Sequence, residues 1–189
     1  VPPLVNYADT SADADRLVLD LLGGQDTLIV VGNSLPQVFD VDLPAGAVDI
    51  DDLGDATNDG RVGWSNVESL QVDGLEGNDA FDVTPGLIPV FIDGDDPIGS
   101  VPGDVLRISS VLRFFAGPEV DEGGFLTAGE TVSFDHIEEI QITPGLACGF
   151  LILGTDADDD ITVIARDGNG RASEKAVAAE TALLTIGSK

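Results

Sequence analysis

The amino-acid sequence predicts an all-β fold, a parallel β-solenoid or β-helix of short strands joined by acidic Gly-Asp turns. Three observations predict it. A strand–turn–strand phrase recurs along the chain, apolar residues alternate with period two, and glycine and aspartate crowd the positions between the apolar runs. The phrase is clearest at Leu70–Val83, LQVDGLEGNDAFDV: a short strand at Leu70 and Val72, an acidic turn at Asp73, Gly74, Gly77, Asn78 and Asp79, and a second strand at Phe81 and Val83. Period-two runs bounded by Gly, Pro and Asp are half-buried strands. Stacked copies of such a unit bury a shared aliphatic row. An antiparallel β-sandwich with frequent turns is the competing architecture.

Taken in order, residues 1–16 form a lead-in with Pro2 and Pro3 and little periodicity. Residues 17–165 form the repeat array, with long units opening near residues 17, 70 and 150. The first copy of the phrase is Leu17–Val30, where Asp20, Gly24, Asp26, Leu28 and Val30 take the slots described above. Val38, Phe39, Val41, Val48 and Ile50 then lie in short alternating runs. Gly63–Val72 matches Ser133–Ile142, with Trp64 opposite Phe134, Val67 opposite Ile137, Glu68 opposite Glu138 and Leu70 opposite Ile140. Val38–Phe39 returns as Val90–Phe91. An interrupted copy runs from Val90 to Ile108 around an insertion at Pro97–Pro102, and a further copy is Phe150–Val163. The insertion at Leu112–Gly129 is expected to be a loop. Residues 166–189 break the pattern: an Ala- and Glu-rich stretch, read as a short helix or an irregular excursion, precedes a last strand at Leu183–Ile186.

Composition narrows the chemistry. Hydrophobic residues make up 43% of the 189 positions, enough for a core, and aromatics only 5%, so that core is aliphatic. The formal charge of −27 comes from 26 Asp and 9 Glu against 8 Lys and Arg. That balance leaves no basic face for nucleic acid. No apolar run reaches the ~18 residues of a membrane-spanning helix, so membrane insertion is not expected. The single Cys148 excludes an internal disulfide and reads as a buried thiol. His136, the one histidine, lies in a strand-like run, and no G-x-S-x-G element presents a serine beside it. One cysteine and one histidine are too few for a zinc site. Catalysis is not expected.

The excess of Asp over Glu points instead to turns and hard cations, because a short carboxylate reaches its own backbone or a nearby ion. Calcium takes six to eight oxygens in loose geometry. The candidate ligands are the turn residues Asp20, Asp26, Asp73, Asn78, Asp79, Asp93, Asp95, Asp96 and Asp104, and the dense cluster Asp156, Asp158, Asp159 and Asp160. The bland alternative is that these side chains cap turns by accepting backbone N–H groups. A separate loop, Asp55–Asn66, places Asp55, Thr57 and Asp59 at alternate positions before Gly60, in the order of a helix-flanked calcium loop, and otherwise reads as a bare turn.

The G-x-x-G-x-D-x-φ pattern (φ apolar) resembles the calcium-binding Gly-Asp repeats of RTX and haemolysin-type proteins. The phrases IEEIQI and GTDADDDITVIARD are similar to degenerate repeats of very large secreted bacterial surface proteins. The resemblance covers about residues 17–167 and implies a β-roll or β-helix scaffold, secretion, and calcium-assisted folding outside the cell. Copies here are single rather than contiguous, and the Gly-Gly pair survives only at Gly23–Gly24. The loop at Asp55–Asn66 also resembles the shortened calcium loop of dockerin modules. The expectation is a non-enzymatic, secreted structural or adhesive module with several weak calcium sites, facing surface polysaccharide or neighbouring modules. A subunit of an extracellular assembly and a carbohydrate-active enzyme on the same scaffold are the alternatives.

Overall fold

A computed structural model describes residues 16–53, 60–99, 102–119, 121–143, 151–153, 160–166 and 181–187, and every regular element among them is a β-strand. They form two mixed sheets. The larger holds β1 (Arg16–Asp20), β5 (Gly60–Ser65), β4 (Ala47–Asp52), β3 (Gln37–Asp42), β7 (Ala80–Thr84), β9 (Val105–Ser109), β13 (Glu139–Thr143), β16 (Thr181–Gly187) and β15 (Asp160–Arg166), in that spatial order. The smaller holds β14 (Leu151–Leu153), β10 (Val111–Ala116), β11 (Gly123–Thr127), β12 (Thr131–Asp135), β8 (Val90–Asp93), β6 (Ser69–Asp73) and β2 (Thr27–Val31).

From β6 to β9 the chain crosses between the sheets at every turn, and each strand lies parallel to the one before it in its own sheet. Period-two alternation then puts one residue type at the same height in each strand. Across the smaller sheet Leu28, Leu70, Val90 and Val132 are in register, as are Val30, Val72, Ile92 and Phe134. Across the larger sheet Phe39, Phe81, Leu106 and Ile140 align, and so do Val41, Val83, Ile108 and Ile142. All sixteen belong to one buried cluster shared by the two sheets. Phe39 and Phe81 stack at 5.0 Å, a geometry worth ~0.5–1.5 kcal/mol beyond area burial.

The outer faces carry the charges. One row across the larger sheet runs Arg61, Asp49, Asp40, Asp82, Arg107, Gln141. Arg61 pairs with Asp49 at 2.6 Å and Arg107 with Asp82 at 3.1 Å. Asp40 lies between two other aspartates, and partial burial followed by Asp49 and Asp82 raises its pKa.

Four features differ from the sequence reading. Purely parallel stacking fails because two antiparallel meanders, β3–β4–β5 and β10–β11–β12, widen the sheets. The segment Leu112–Gly129, expected as a loop, supplies most of the second meander. Its Phe114 and Phe125 are drawn into the core with Phe134, and ring centroids lie 5.2–6.3 Å apart. Val38–Phe39 and Val90–Phe91 are not equivalent, since β3 and β8 lie in different sheets. Finally, Leu17–Val30 runs from the larger sheet to the smaller, whereas Leu70–Val83 runs the other way. Both crossings need the same tight acidic turn, so the same phrase serves at either end. The Val90–Ile108 copy is a true structural counterpart of Leu70–Val83, with Leu70 opposite Val90 and Phe81 opposite Leu106. The last strand is β16, antiparallel to β13 and β15; the Ala- and Glu-rich stretch before it lies outside the described residues, as does Cys148.

Candidate functional site

The turns that lead from the smaller sheet back to the larger stack at one end of the molecule. Each closes on a polar residue at the entry to the next strand: Gln37, the first residue of β3, and Asp79, Asp104 and Glu138, which immediately precede β7, β9 and β13. These four form a hydrogen-bonded ladder. The Glu138 carboxylate accepts the Asp104 N–H at 2.7 Å, Asp104 Oδ1 accepts the Asp79 N–H at 2.6 Å, and Asp79 Oδ1 accepts the Gln37 N–H at 2.7 Å. Backbone bonds run the other way: the Val105 N–H donates to the Asp79 carbonyl, and the Glu138 and Glu139 N–H groups to the Asp104 carbonyl. At the opposite end Glu68 does for Asp26 what Glu138 does for Asp104, accepting its N–H at 2.8 Å. The sequence match of Glu68 with Glu138 therefore reflects a shared role.

Gln37, Asp79 and Asp104 are 2%, 1% and 0% exposed. Burial is the dominant influence on both aspartates, pushing Asp79 up to about 7 and Asp104 up to about 8. The bonds from Gln37 and Asp79 N–H groups pull the other way, and neighbouring carboxylates push further up. One oxygen in each of Asp26, Asp79 and Asp104 is buried without a partner. Backbone packs closely on two of these oxygens: a Cβ on Gly74 would lie 2.6 Å from Asp79 Oδ2, and one on Gly94 would lie 2.6 Å from Asp104 Oδ2. These two glycines are required by approach distance, not by turn flexibility.

Beside the ladder lies a more exposed row. Asp73, Asp93 and Asp135 end in-register strands. Asp73 accepts a bond from Gln71 Nε2 at 2.8 Å, and its pKa is raised mainly by burial. His136 Nδ1 lies 2.8 Å from Asp93 Oδ1, and that bond raises the imidazole pKa. His136 adopts a left-handed φ of 53°, opposite Gly94 in the stack.

The other expected ligands are dispersed. Asp20 ends β1 and accepts bonds from the Leu22 N–H and from Asn66 Nδ2, the latter lowering its pKa. Asn78 Nδ2 donates to the Pro102 carbonyl. Asp95 has a left-handed φ of 66°, and Asp96 bridges to Glu76. Asp55, Asp59, Asp156, Asp158 and Asp159 lie outside the described residues, while Asp160 opens β15. The loop reading of Asp55–Asn66 does not hold for its second half, because Gly60–Ser65 is strand β5, paired on both sides, and Asn66 donates to Asp20.

Among the described residues no three His, Cys, Asp or Glu side chains converge to hold a metal ion. Asp79 and Asp104 do not fit calcium: one oxygen of each is committed to an N–H group, and the other faces a glycine at packing distance. Sequence reasoning missed Gln37, because Pro36–Gln37 carries no Gly-x-Asp signal. It missed the ladder role of Glu138, for which the Glu68 match was the available clue. Compared with protein-family models, with curated proteins and with solved structures, the chain gives no match.

Proposed function

We propose that the chain is a non-enzymatic structural and adhesive module of an extracellular bacterial surface protein, built as a two-sheeted β-coil with antiparallel insertions. The observation that carries this reading is the ladder. The most buried carboxyls among the described residues each commit Oδ1 to a backbone N–H of a neighbouring turn, which is scaffold work. His136 Nδ1 is held by Asp93, and no G-x-S-x-G element supplies a serine nucleophile for it. On this reading calcium is taken at Asp156, Asp158, Asp159 and Asp160, where four carboxylates within five residues call for a counter-ion. Surface polysaccharide or adjoining modules are the partners.

Thermal melts followed by circular dichroism test it, in EDTA, with millimolar calcium, and with magnesium as control. The expected result is a calcium-specific rise in Tm that disappears when the four aspartates are changed to Asn. An unchanged melt with a stable β-spectrum in EDTA removes calcium from the proposal. A second reading, a subunit of an assembly, is favoured by one observation: the edge strands β1 and β2 leave Val18, Ile29 and Val31 about half exposed or more. Concentration-dependent association in light scattering, lost in Ile29→Lys, would favour that reading.

A further inference from the structure

Where the resemblance to Gly-Asp repeats implies an ion, the surroundings of Asp79 and Asp104 call for a proton. In each, Oδ1 is an acceptor for a backbone N–H and Oδ2 is buried without a partner. Each Oδ2 is packed against a glycine of its own turn. The point where Gly74 would carry a Cβ is 2.6 Å from Asp79 Oδ2 and 3.1 Å from the Gly94 carbonyl oxygen. The corresponding point on Gly94 is 2.6 Å from Asp104 Oδ2 and directly against the His136 carbonyl oxygen. A carboxylate oxygen sealed from water, with no donor and no cation beside it, is costly as an anion and far less so as a neutral acid.

The first rung has a neutral group in the same place. Gln37 Oε1 lies 2.5 Å from the Cβ position of Gly32, as each Oδ2 lies 2.6 Å from that of its own glycine, and the Gln37 amide is uncharged. No cation faces the other rungs among the described residues. The groups around Asp79 are Gln37 at the start of β3, Asp52 at the end of β4, and Asp104 before β9. Those around Asp104 are Asp79, Glu138 before β13, and Asp95 in the β8–β9 turn.

We infer that Asp79 and Asp104 are neutral carboxylic acids in the folded protein, each carrying its proton on the buried Oδ2, so that the ladder is a proton-locked clasp between strands. The upward shifts of both groups agree with this. The sign follows from linkage: the folded chain binds protons that the unfolded chain, at an ordinary 3.8, has released. The clasp's contribution is complete below that value and is lost as pH rises through about 7 and about 8. The inference rests on hydrogen-bond geometry and is independent of the extracellular reading.

The test is a carboxyl-carbon NMR titration of the full chain from pH 5 to 9, with Asp79→Asn and Asp104→Asn used for assignment. Two carboxyls should ionise near neutrality or above it. In parallel, the wild-type Tm should fall by more than ~5 °C between pH 6 and 8.5. Asp79→Asn/Asp104→Asn should lose at least half of that fall, His136 keeping a share. Ionisation of every Asp below pH ~5 would overturn the inference. So would two carboxyls already ionised at pH 6 whose signals move on adding calcium. If the double variant does not fold, the wild-type titration alone decides, the two late-ionising carboxyls being assigned from the single variants or from backbone connectivity.

Discussion

At the scale of single residues, the turns depend on groups with no room to change. Gly94 is such a case, because a methyl there meets both the His136 carbonyl and Asp104 Oδ2. Gly94→Ala should destabilise the protein by ~1–3 kcal/mol in urea unfolding, the range of an overpacking clash. A loss below ~0.5 kcal/mol would mean that the stack yields easily. His136 is a pH-dependent member of the same turn. Its folded pKa lies above 6.5, so the Asp93 pair contributes below that value and fades as pH rises through the raised one. With both side chains 27% exposed, the pair is worth ~0.5–1 kcal/mol. His136→Asn, which tolerates the left-handed φ, should therefore lower stability at pH 5.5 and leave it nearly unchanged at pH 8.5. Equal losses at both pH values would assign His136 a packing role instead.

At the scale of elements, the β10–β11 hairpin shows how an insertion becomes part of the core. Its inward residues Phe114 and Phe125 meet Phe134 of β12, while Phe115 points outward beside Arg113. Phe125→Ala should cost ~3–5 kcal/mol and Phe115→Ala under ~1 kcal/mol by urea midpoint. Similar costs for the two would contradict the assigned facing of the hairpin. The alternation that decides this facing was present in the sequence as Val111, Phe114 and Phe125. It was hidden by a register irregularity between Val111 and Arg113 and by the many polar residues of the connecting turn.

At the scale of the whole molecule, a chain of charge −27 folds against its own field. The outer row Asp49, Asp40, Asp82 places three carboxylates side by side, with Arg61 and Arg107 only at its flanks. Screening shortens the reach of such repulsion from ~30 Å at 0.01 M salt to ~3 Å at 1 M. Raising sodium chloride over that range should increase Tm by several degrees, and a flat or falling Tm would show that the flanking arginines already balance the row. Because sodium supplies this effect without specificity, the calcium melts are compared at matched ionic strength.

The strands, their inward residues and the aspartates of the turns were legible from the chain, since alternation and Gly-Asp turns are local properties of a few consecutive residues. Asp26, Asp79 and Asp104 stood out in this way. Their chemistry did not, because it comes from partners far away along the chain: Gln37 is 42 residues from Asp79, and Asp104 is 25. Local pattern could not tell a solvent-facing carboxylate such as Asp20 from one sealed under a neighbouring glycine. Nor could it tell which end of the molecule a given turn occupies, since both crossings between the sheets use the same phrase. Those choices are made by stacking, where the neighbouring turns set burial, and burial sets the charge a carboxyl can hold.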